Sequence, residues 1–192
     1  MEIIFATSNA SKVKIARERL ERYGINVIQR SVETSEIQSL DVEEVGMEKA
    51  RQLLGKLQEP FFIDDSGLTI YALNGFPGAL IKPTIDAIGD SGILKLMEGK
   101  KDRKVNAESV LVYANPKTNE LKSFIGTFEG TLSESLSGEN IRGLGIERIF
   151  IPLNSTKTIA SMSDDEWLKS LDDFRKTDHY DKFGRWITSL SK

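Results

Sequence analysis

Short apolar runs alternate with amphipathic stretches along the first half of the chain. Residues 2–6 and 25–29 are rich in apolar and β-branched side chains, which is typical of strands. Between them, apolar residues recur at helical spacing. A second helix is predicted over residues 41–57, with Asp41 as its cap, and residues 61–63 form the next apolar run. Strands that alternate with helices predict an α/β architecture.

The second half of the chain has a different pattern, dominated by a long hairpin. Its predicted elements, in order, are a helix over 79–98, hairpin strands over 105–113 and 121–132, a short strand over 148–153, and helices that begin at Asp164 and at about Tyr180. A hairpin pairs its strands antiparallel, whereas strands joined by helices pair parallel. The combination therefore predicts a mixed sheet.

Two adjacent carboxylates, Asp64 and Asp65, follow the apolar run at residues 61–63. Ser66 and Gly67 come next, and a second strand-like run covers residues 68–73. A buried strand that ends in acidic residues delivers carboxylates to the mouth of a site. Asp, Ser and Gly are also common turn residues, so a plain turn between two strands explains the same pattern. The local pattern leaves both interpretations open.

A polar turn, residues 7–11, separates the first strand from the first helix, and Lys12 lies in the first helical turn. Free N–H groups at a helix N-terminus, with adjacent hydroxyl and amide donors and a lysine, predict a phosphate site. An ordinary cap by Ser8 or Asn9, with a solvated lysine, is the alternative. Glu36 precedes the second helix in a loop, where it could reach a shared site or simply be solvated.

The amino-acid composition excludes several kinds of catalytic and metal-binding site. The 192 residues include no cysteine and one histidine, His179, which excludes thiol catalysis and zinc sites built from several histidines. A net charge of −3 gives no footprint for nucleic acid or an anionic membrane, and no signal peptide or membrane-spanning run is found, so we expect a cytoplasmic protein. Plentiful carboxylates and lysines suit magnesium (Mg²⁺) acting on phosphate.

Five ordered motifs in the first hundred residues resemble those of the inosine/xanthosine triphosphate pyrophosphatase family. They are Thr7-Ser8-Asn9-Ala10-Ser11-Lys12, Glu36-Ile37-Gln38, Lys49-Ala50, Asp64-Asp65-Ser66-Gly67-Leu68 and Asn74-Gly75-Phe76-Pro77-Gly78. Each motif is weak alone, but the set is specific. The resemblance implies a long mixed β-sheet between two α/β lobes of a single domain, residues 1–192, with a central nucleotide cleft. It also implies a homodimer.

The activity that the resemblance implies is Mg²⁺-dependent cleavage of ITP, dITP and XTP to the monophosphate and pyrophosphate. Glu36 and Asp65 would bind the metal, and Asp65 would also be the base for the attacking water. The expected contacts to the substrate and its phosphates come from Thr7, Ser8, Asn9, Ala10, Ser11, Lys12, Lys49 and Ser66.

The second half departs from the family pattern. Gly143-Leu144-Gly145-Ile146-Glu147-Arg148 stands where the family has Gly-Phe-Gly-Tyr-Asp-Pro, so Leu144 replaces an aromatic that would stack on the base. The family's Ser-His-Arg is best matched by Asp178-His179-Tyr180. Base contacts are therefore expected from Leu144, Gly145, Ile146, Glu147, His179 and Tyr180, and the preferred base stays open.

Two alternatives to this enzyme remain at the level of sequence. One is a nucleotide-binding module with little turnover, which the altered base-contact motifs favour. The other is a pyrophosphatase with a different base preference.

Overall fold

The computed structural model describes residues 1–142 and 144–190; Gly143, the first residue of the altered glycine motif, lies outside this description. In chain order the elements are β1 (Glu2–Ala6), α1 (Ala10–Glu21), β2 (Asn26–Arg30), α2 (Val42–Leu54), β3 (Phe61–Ile70), β4 (Pro77–Gly78), α3 (Ile81–Leu96), β5 (Lys104–Asn115), β6 (Glu120–Leu132), β7 (Phe150–Pro152), α4 (Asp164–Thr177) and α5 (His179–Ser189). Among the described helices, none is long and apolar enough to cross a lipid bilayer.

The strands form one mixed seven-stranded sheet in the order β2-β1-β3-β5-β6-β7, with β4 paired to β3. β1 runs parallel to β2, where Ile3 faces Val27, and parallel to β3, where Ile4 faces Phe61. β4 is antiparallel to β3, and β7 is antiparallel to β6. The predicted α/β fold with a mixed sheet is confirmed.

By its internal contacts the chain divides into two compact units. The first unit comprises Met1–Asp65, Ser109–Gly126 and Lys176–Lys192, and the second comprises Ser66–Glu108 and Thr127–Arg175. Strands β3, β5 and β6 contribute residues to both units.

Aromatic packing on β1 and β3 forms the core of the first unit. The rings of Phe5 and Phe62 stack with centroids 4.4 Å apart, and Phe183 of α5 lies 5.6 Å from Phe62. Beside this core, Asp181 of α5 accepts hydrogen bonds from Tyr23 and from Arg22, the latter at 2.7 Å. Helix α5 is thereby fixed against α1, and its first residues, His179 and Tyr180, are held in place.

The second unit has a separate apolar core. Leu68 and Ile70 of β3, Ile93 of α3 and Phe150 of β7 are buried in it. Phe128 stacks on Phe150 with centroids 5.5 Å apart. Ile146 belongs to this core and is 7% exposed, which anchors the altered glycine motif at its fourth residue.

The acidic pair does not end a strand, and the expected break between residues 63 and 68 is wrong. β3 runs without interruption from Phe61 to Ile70, and the residues after it form a 3₁₀ turn, Tyr71–Leu73. Asp residues favour turns because their side chains bond nearby main-chain groups. Here the Asp64 carboxylate is bonded by side chains from distant elements, so it does not compete with the strand.

Two other boundaries also differ from the expectation. The helix expected over 79–98 is α3, which is interrupted at Gly89, where φ is 64° and ψ is −178°. This positive φ is readily adopted only by glycine. The strand expected over 148–153 is the shorter β7, because the main chain of Arg148 and Ile149 is used in turns, including an N–H of Ile149 that donates to Ile146.

Candidate active site

The polar turn after β1 is built as a helix cap. Asn9 Oδ1 accepts hydrogen bonds from the N–H groups of Ser11 at 3.0 Å and Lys12 at 3.2 Å. Thr7 Oγ1 accepts from the N–H of Asn9 at 3.1 Å. The structure therefore has the Asn9 cap that the simpler interpretation predicts. The side chains of Ser8, Asn9, Ala10 and Ser11 are nevertheless exposed at the N-terminus of α1, so an anion can reach them.

Lys12 is not a freely solvated lysine. Its Nζ lies 2.8 Å from Asp64 Oδ1 and also donates to the main-chain oxygen of Asp64 at 2.8 Å. Its side chain keeps 27% exposure. The ammonium thus joins the beginning of α1 to β3 and still has a face open to solvent.

Asp64 is an enclosed charge of the first unit, with a side chain that is 5% exposed. Besides Lys12, it contacts His179 Nε2 at 3.0 Å and accepts a hydrogen bond from the Tyr180 hydroxyl at 2.7 Å. Burial alone would raise the pKa of the Asp64 carboxyl, but the Lys12 ammonium and His179 hold this pKa well below its usual range. Because the carboxylate is ionised, His179 Nε2 must carry the proton and donate it.

His179 and Tyr180, which are predicted to contact the base, are therefore already bonded to another partner, the Asp64 carboxylate. Both residues are buried, at 5% and 3% exposure, and both donors point at Asp64. Burial and the neighbouring Asp64 charge also raise the pKa of Tyr180 well above its ordinary value. Their hydrogen bonds to a base stay a prediction. In this structure the two residues complete the surroundings of Asp64, and His179 Nδ1 is left without a hydrogen-bond partner among the described residues.

Asp65 faces a different set of groups. Lys49 Nζ from α2 donates to Asp65 Oδ1 at 3.0 Å, lies 2.9 Å from Asp65 Oδ2, and contacts Glu36 Oε1 at 2.5 Å. The buried Oδ2 accepts no hydrogen bond within the described residues. Successive residues of a strand point to opposite faces, which explains why neighbouring carboxylates have separate partners.

Charge and burial oppose each other at Asp65 and Lys49. Burial raises the pKa of Asp65, and Lys49 only partly offsets this effect. Burial would lower the pKa of Lys49, but Asp65 and Glu36 outweigh it, so this pKa is raised. Lys49 is therefore a firmly held cation, and Asp65 is a carboxylate with raised basicity.

The two predicted metal ligands, Glu36 and Asp65, meet at Lys49. Within residues 1–142 and 144–190, no group of three or more His, Cys, Asp and Glu side chains is placed to hold a metal ion. Two carboxylates, one with a buried oxygen that accepts no hydrogen bond, nevertheless suit Mg²⁺. This ion commonly takes one or two protein carboxylates and completes its shell with water and substrate phosphates. The residues present fit such an ion.

The remaining predicted residues lie in the second unit. Ser66 is exposed on β3, and Leu144 is 47% exposed. Gly145 has φ of 75°, which glycine adopts without strain, and Ile146 packs into the core. These positions allow Leu144 to contact a ligand, whereas the Ile146 side chain serves the core.

Glu147 has a role that the sequence did not predict. It is 0% exposed, so its side chain has no surface with which to contact a substrate. Its carboxylate accepts hydrogen bonds from the N–H groups of Ile141 at 2.9 Å, Arg142 at 2.9 Å and Leu144 at 2.8 Å. Any contribution of Glu147 to binding is therefore through the shape of this loop.

The side-chain partners of Asp64 and Asp65 are the main features of the site that the sequence did not predict. Strand alternation was the available signal, because it separates the two carboxylates to opposite faces and calls for two sets of cations. Lys49 was expected only as a substrate contact, and its bridge between Glu36 and Asp65 was not foreseen.

The fold, the site formed by the lysines and carboxylates described above, and comparisons with known proteins all indicate the same protein family. The Ham1 family model matches residues 3–170, and the chain belongs to the Ham1 family. The resemblance found in the sequence motifs is confirmed. The chain is 37% identical over 186 residues to a protein of Methanopyrus kandleri named dITP/XTP pyrophosphatase, covering 97% of this chain and 96% of that one.

A second relative and a solved structure extend this similarity. A Thermococcus kodakarensis protein, also named dITP/XTP pyrophosphatase, is 40% identical over 166 residues, covering 86% of this chain and 88% of the relative. The structure of a HAM1 protein from Coxiella burnetii has the same fold, with a TM-score of 0.78 at 24% identity over 100% of this chain and 98% of that one.

Proposed function

We propose that the protein hydrolyses non-canonical purine nucleoside triphosphates, including dITP, XTP and ITP, to the nucleoside monophosphate and pyrophosphate. The observation that carries this proposal is the pairing of two lysines with three carboxylates in the first unit: Lys12 pairs with Asp64, and Lys49 pairs with Glu36 and Asp65. Relatives that match almost the whole chain are named for dITP and XTP hydrolysis, which supports the same choice of substrate.

In this proposal the phosphates bind at the N-terminus of α1. Thr7, Ser8, Asn9, Ala10 and Ser11 surround them, and Lys12 supplies a full positive charge. The exposure of this turn supports the assignment, as does the open face of the Lys12 ammonium. Oriented N–H groups and a lysine are the usual means of holding phosphate oxygens.

Glu36 and Asp65 would hold Mg²⁺, which when bound neutralises charge on the phosphates. Asp65 accepts the proton of the attacking water while the new bond from water oxygen to phosphorus forms. The phosphorus attacked is that of the α-phosphate. Its bond to the oxygen that bridges it to the β-phosphate breaks, and pyrophosphate leaves with that oxygen. The raised pKa of Asp65 and its unbonded Oδ2 support this role, because a base works best when its pKa lies nearer the operating pH.

Base selection is assigned to the loop around Leu144 and Gly145 and to His179 and Tyr180. Leu144 offers an apolar face in place of an aromatic one, and His179 Nδ1 has no hydrogen-bond partner among the described residues. We also propose a homodimer, as the family resemblance implies. From the composition and the net charge of −3 we propose a cytoplasmic location without nucleic-acid or membrane partners. Sedimentation equilibrium would test the dimer.

A panel of triphosphates tests the function directly. Pyrophosphate release is measured with Mg²⁺ for ITP, dITP, XTP, ATP, GTP and dTTP, and nucleotide binding is measured in parallel. We expect kcat/KM to be highest for the hypoxanthine and xanthine nucleotides. Binding without pyrophosphate release from any nucleotide would show a binding module, and a preference for dTTP or ATP would show a different substrate class.

A further inference from the structure

We infer that Lys49 is a built-in counter-ion that holds Glu36 and Asp65 until a nucleotide arrives, so that the site takes its metal together with the nucleotide. The inference rests on the proposed function for the identity of the nucleotide. It deepens that function by assigning to Lys49 the control of metal binding at Glu36 and Asp65.

The geometry of Lys49 carries the first step. One ammonium lies within 3.0 Å of both predicted metal ligands, at 2.5 Å from Glu36 Oε1 and 2.9 Å from Asp65 Oδ2. The Lys49 side chain is 13% exposed, so this charge is only weakly screened by solvent. A divalent cation that approached Asp65 alone would meet a fixed positive charge between its two ligands.

The position of α2 makes this charge difficult to move as a unit. A Cβ at Gly46 would lie 3.0 Å from Val110 Cγ1 and 3.3 Å from Ile63 Cδ1, so the helix backbone packs closely on the sheet. Ala50, next to Lys49, is fully buried. The helix is fixed, and any release of the carboxylates must come from the flexible Lys49 side chain.

A bound triphosphate offers the Lys49 side chain a different partner. Its oxygens are anionic acceptors for the Lys49 ammonium, and they also contribute ligands to a divalent ion. Lys49 then exchanges a carboxylate partner for a phosphate partner, and Glu36 and Asp65 are freed. Because linkage is reciprocal, the nucleotide raises the affinity for the metal and the metal raises the affinity for the nucleotide.

The unbonded Asp65 Oδ2 supports the exchange. Lys49 donates its hydrogen bond to Oδ1, and the buried Oδ2 accepts none within the described residues. Buried carboxylate oxygens are normally hydrogen-bonded, so Oδ2, which lies 2.9 Å from the Lys49 ammonium but accepts no hydrogen bond within the described residues, has capacity for a further partner.

Metal binding without nucleotide tests the inference. Mn²⁺ replaces Mg²⁺ as the probe, and free Mn²⁺ is measured by electron paramagnetic resonance with wild type, Lys49→Met and Lys49→Arg. We expect Lys49→Met to bind Mn²⁺ about 10-fold more tightly than wild type, within the usual range of coupling between sites. Lys49→Arg keeps the charge and should bind no more tightly than wild type. Equal affinity of Lys49→Met and wild type would overturn the inference.

Lys56→Met is the matched control. Lys56 follows the same helix and is exposed, and its Nζ donates to the main-chain oxygen of Glu33 at 2.6 Å. The Lys56→Met substitution removes one positive charge near the same helix and leaves the contacts of Asp65 unchanged. A gain in Mn²⁺ affinity as large as that of Lys49→Met would show a general charge effect and would also overturn the inference. Lys49→Gln serves in place of Lys49→Met if the latter fails to fold in a melting experiment.

A second arm adds the α,β-methylene analogue of ITP, which cannot be cleaved at the proposed bond. The analogue should strengthen Mn²⁺ binding to wild type by a larger factor than to Lys49→Met, because the variant has no lysine to displace. Equal factors would contradict the exchange of partners. Neither arm requires turnover, so a protein that releases no pyrophosphate but gains Mn²⁺ affinity in Lys49→Met would refute the proposed function and leave the role of Lys49 standing.

Discussion

Asp64 in the first unit and Glu147 in the second are both buried carboxylates, but they are neutralised by different kinds of partner. Asp64 is bonded by the side chains of Lys12, His179 and Tyr180. Glu147 accepts only main-chain N–H groups from its own loop, at Ile141, Arg142 and Leu144, among its described contacts.

The difference lies in the distance along the chain that each charge spans. The Asp64 contacts join residues 52 and 115 positions away, whereas those of Glu147 reach 3 to 6 positions. Asp64 therefore links α1, β3 and α5, while Glu147 shapes one loop. Under the proposed function, the side-chain cations around Asp64 and Asp65 exchange partners when a phosphate arrives. Main-chain donors cannot leave their carboxylate without refolding the loop.

The largest expected effect is on turnover, in Asp65→Asn. Asparagine keeps the shape of the side chain but removes the charge and the basicity, so kcat should fall by roughly 10²–10⁴-fold, the usual contribution of a general base. Steady-state pyrophosphate release measures the loss. The melting temperature should change little, because Asp65 is bonded to one side chain that remains free to pair with Glu36.

Asp86→Asn is the control for this variant. Asp86 is 62% exposed and pairs only with Lys82 among its described contacts, so turnover should be unaffected. A normally folded Asp65→Asn enzyme with wild-type kcat would remove Asp65 from the chemistry and leave it as a structural partner of Lys49.

Stability should respond most strongly to Asp64→Asn. Removing this charge leaves the Lys12 ammonium without its carboxylate partner. The amide nitrogen of asparagine would also face either Lys12 or the donors of His179 and Tyr180. We expect a loss of about 3–5 kcal/mol in the free energy of unfolding, the range for breaking a buried ion pair from one side. Urea unfolding at neutral pH measures it. A loss no greater than that of Asp86→Asn would mean that Asp64 does not hold the three elements together.

The contrast between local and long-range contacts also explains which features could be predicted from the sequence. The Asp41 cap, the helix after the polar turn and the two long strands around residues 116–119 depend on local signals, and all were predictable. The candidate residues Glu36, Asp65 and Lys12 came from motif resemblance. What could not be predicted was the partner of each charge, because periodicity gives the face of a side chain but not the element that packs on that face.

Asp64 and Glu147 illustrate two reasons why the partner of a charge could not be predicted from the sequence. Nothing in the sequence near Asp64 indicates a histidine 115 residues later. For Glu147 the partners are close, but they are main-chain groups that any residue carries, so residue types gave no signal. The break that we expected in β3 has the same origin, since distant side chains satisfy Asp64 and let the strand continue.

A smaller effect is expected for Glu147→Gln. Glutamine still offers one acceptor oxygen, but its amide nitrogen would face main-chain donors, and hydrogen bonds to a charge would become neutral ones. We expect a loss of about 1–3 kcal/mol in the free energy of unfolding. Because the Glu147 loop includes Leu144, the ratio of kcat/KM for ITP and ATP should also change, while kcat for ITP changes less.

Glu139→Gln provides the comparison for Glu147, since Glu139 is exposed a few residues earlier. Unchanged stability and unchanged base preference in Glu147→Gln would show that the main-chain bonds to Glu147 neither hold the loop nor position Leu144.

The smallest effect, and the one that depends on pH, is expected at Asp90 in the second unit. Asp90 is 3% exposed and directly follows the interruption of α3 at Gly89. Arg148 donates to both of its oxygens, with Nε at 2.7 Å and Nη2 at 2.5 Å, and Asn140 donates at 3.3 Å. These side chains lower the pKa of Asp90, chiefly through the hydrogen bonds from Arg148.

A lowered pKa in the folded state fixes the sign of the pH dependence. The contribution of Asp90 to stability is complete above the pKa of the unfolded chain, about 3.9, and is lost as the pH falls through the lower folded pKa. Asp90→Asn should therefore cost about 1–2 kcal/mol at pH 7, as expected for charge-assisted hydrogen bonds that become neutral ones. The difference from wild type should shrink as the pH falls below about 4, where Asp90 of the unfolded chain becomes neutral, and should be lost below the lower folded pKa. Urea unfolding of both proteins from neutral to acidic pH measures this difference, and a gap that stays constant would show that the charge of Asp90 contributes nothing beyond the shape of its side chain.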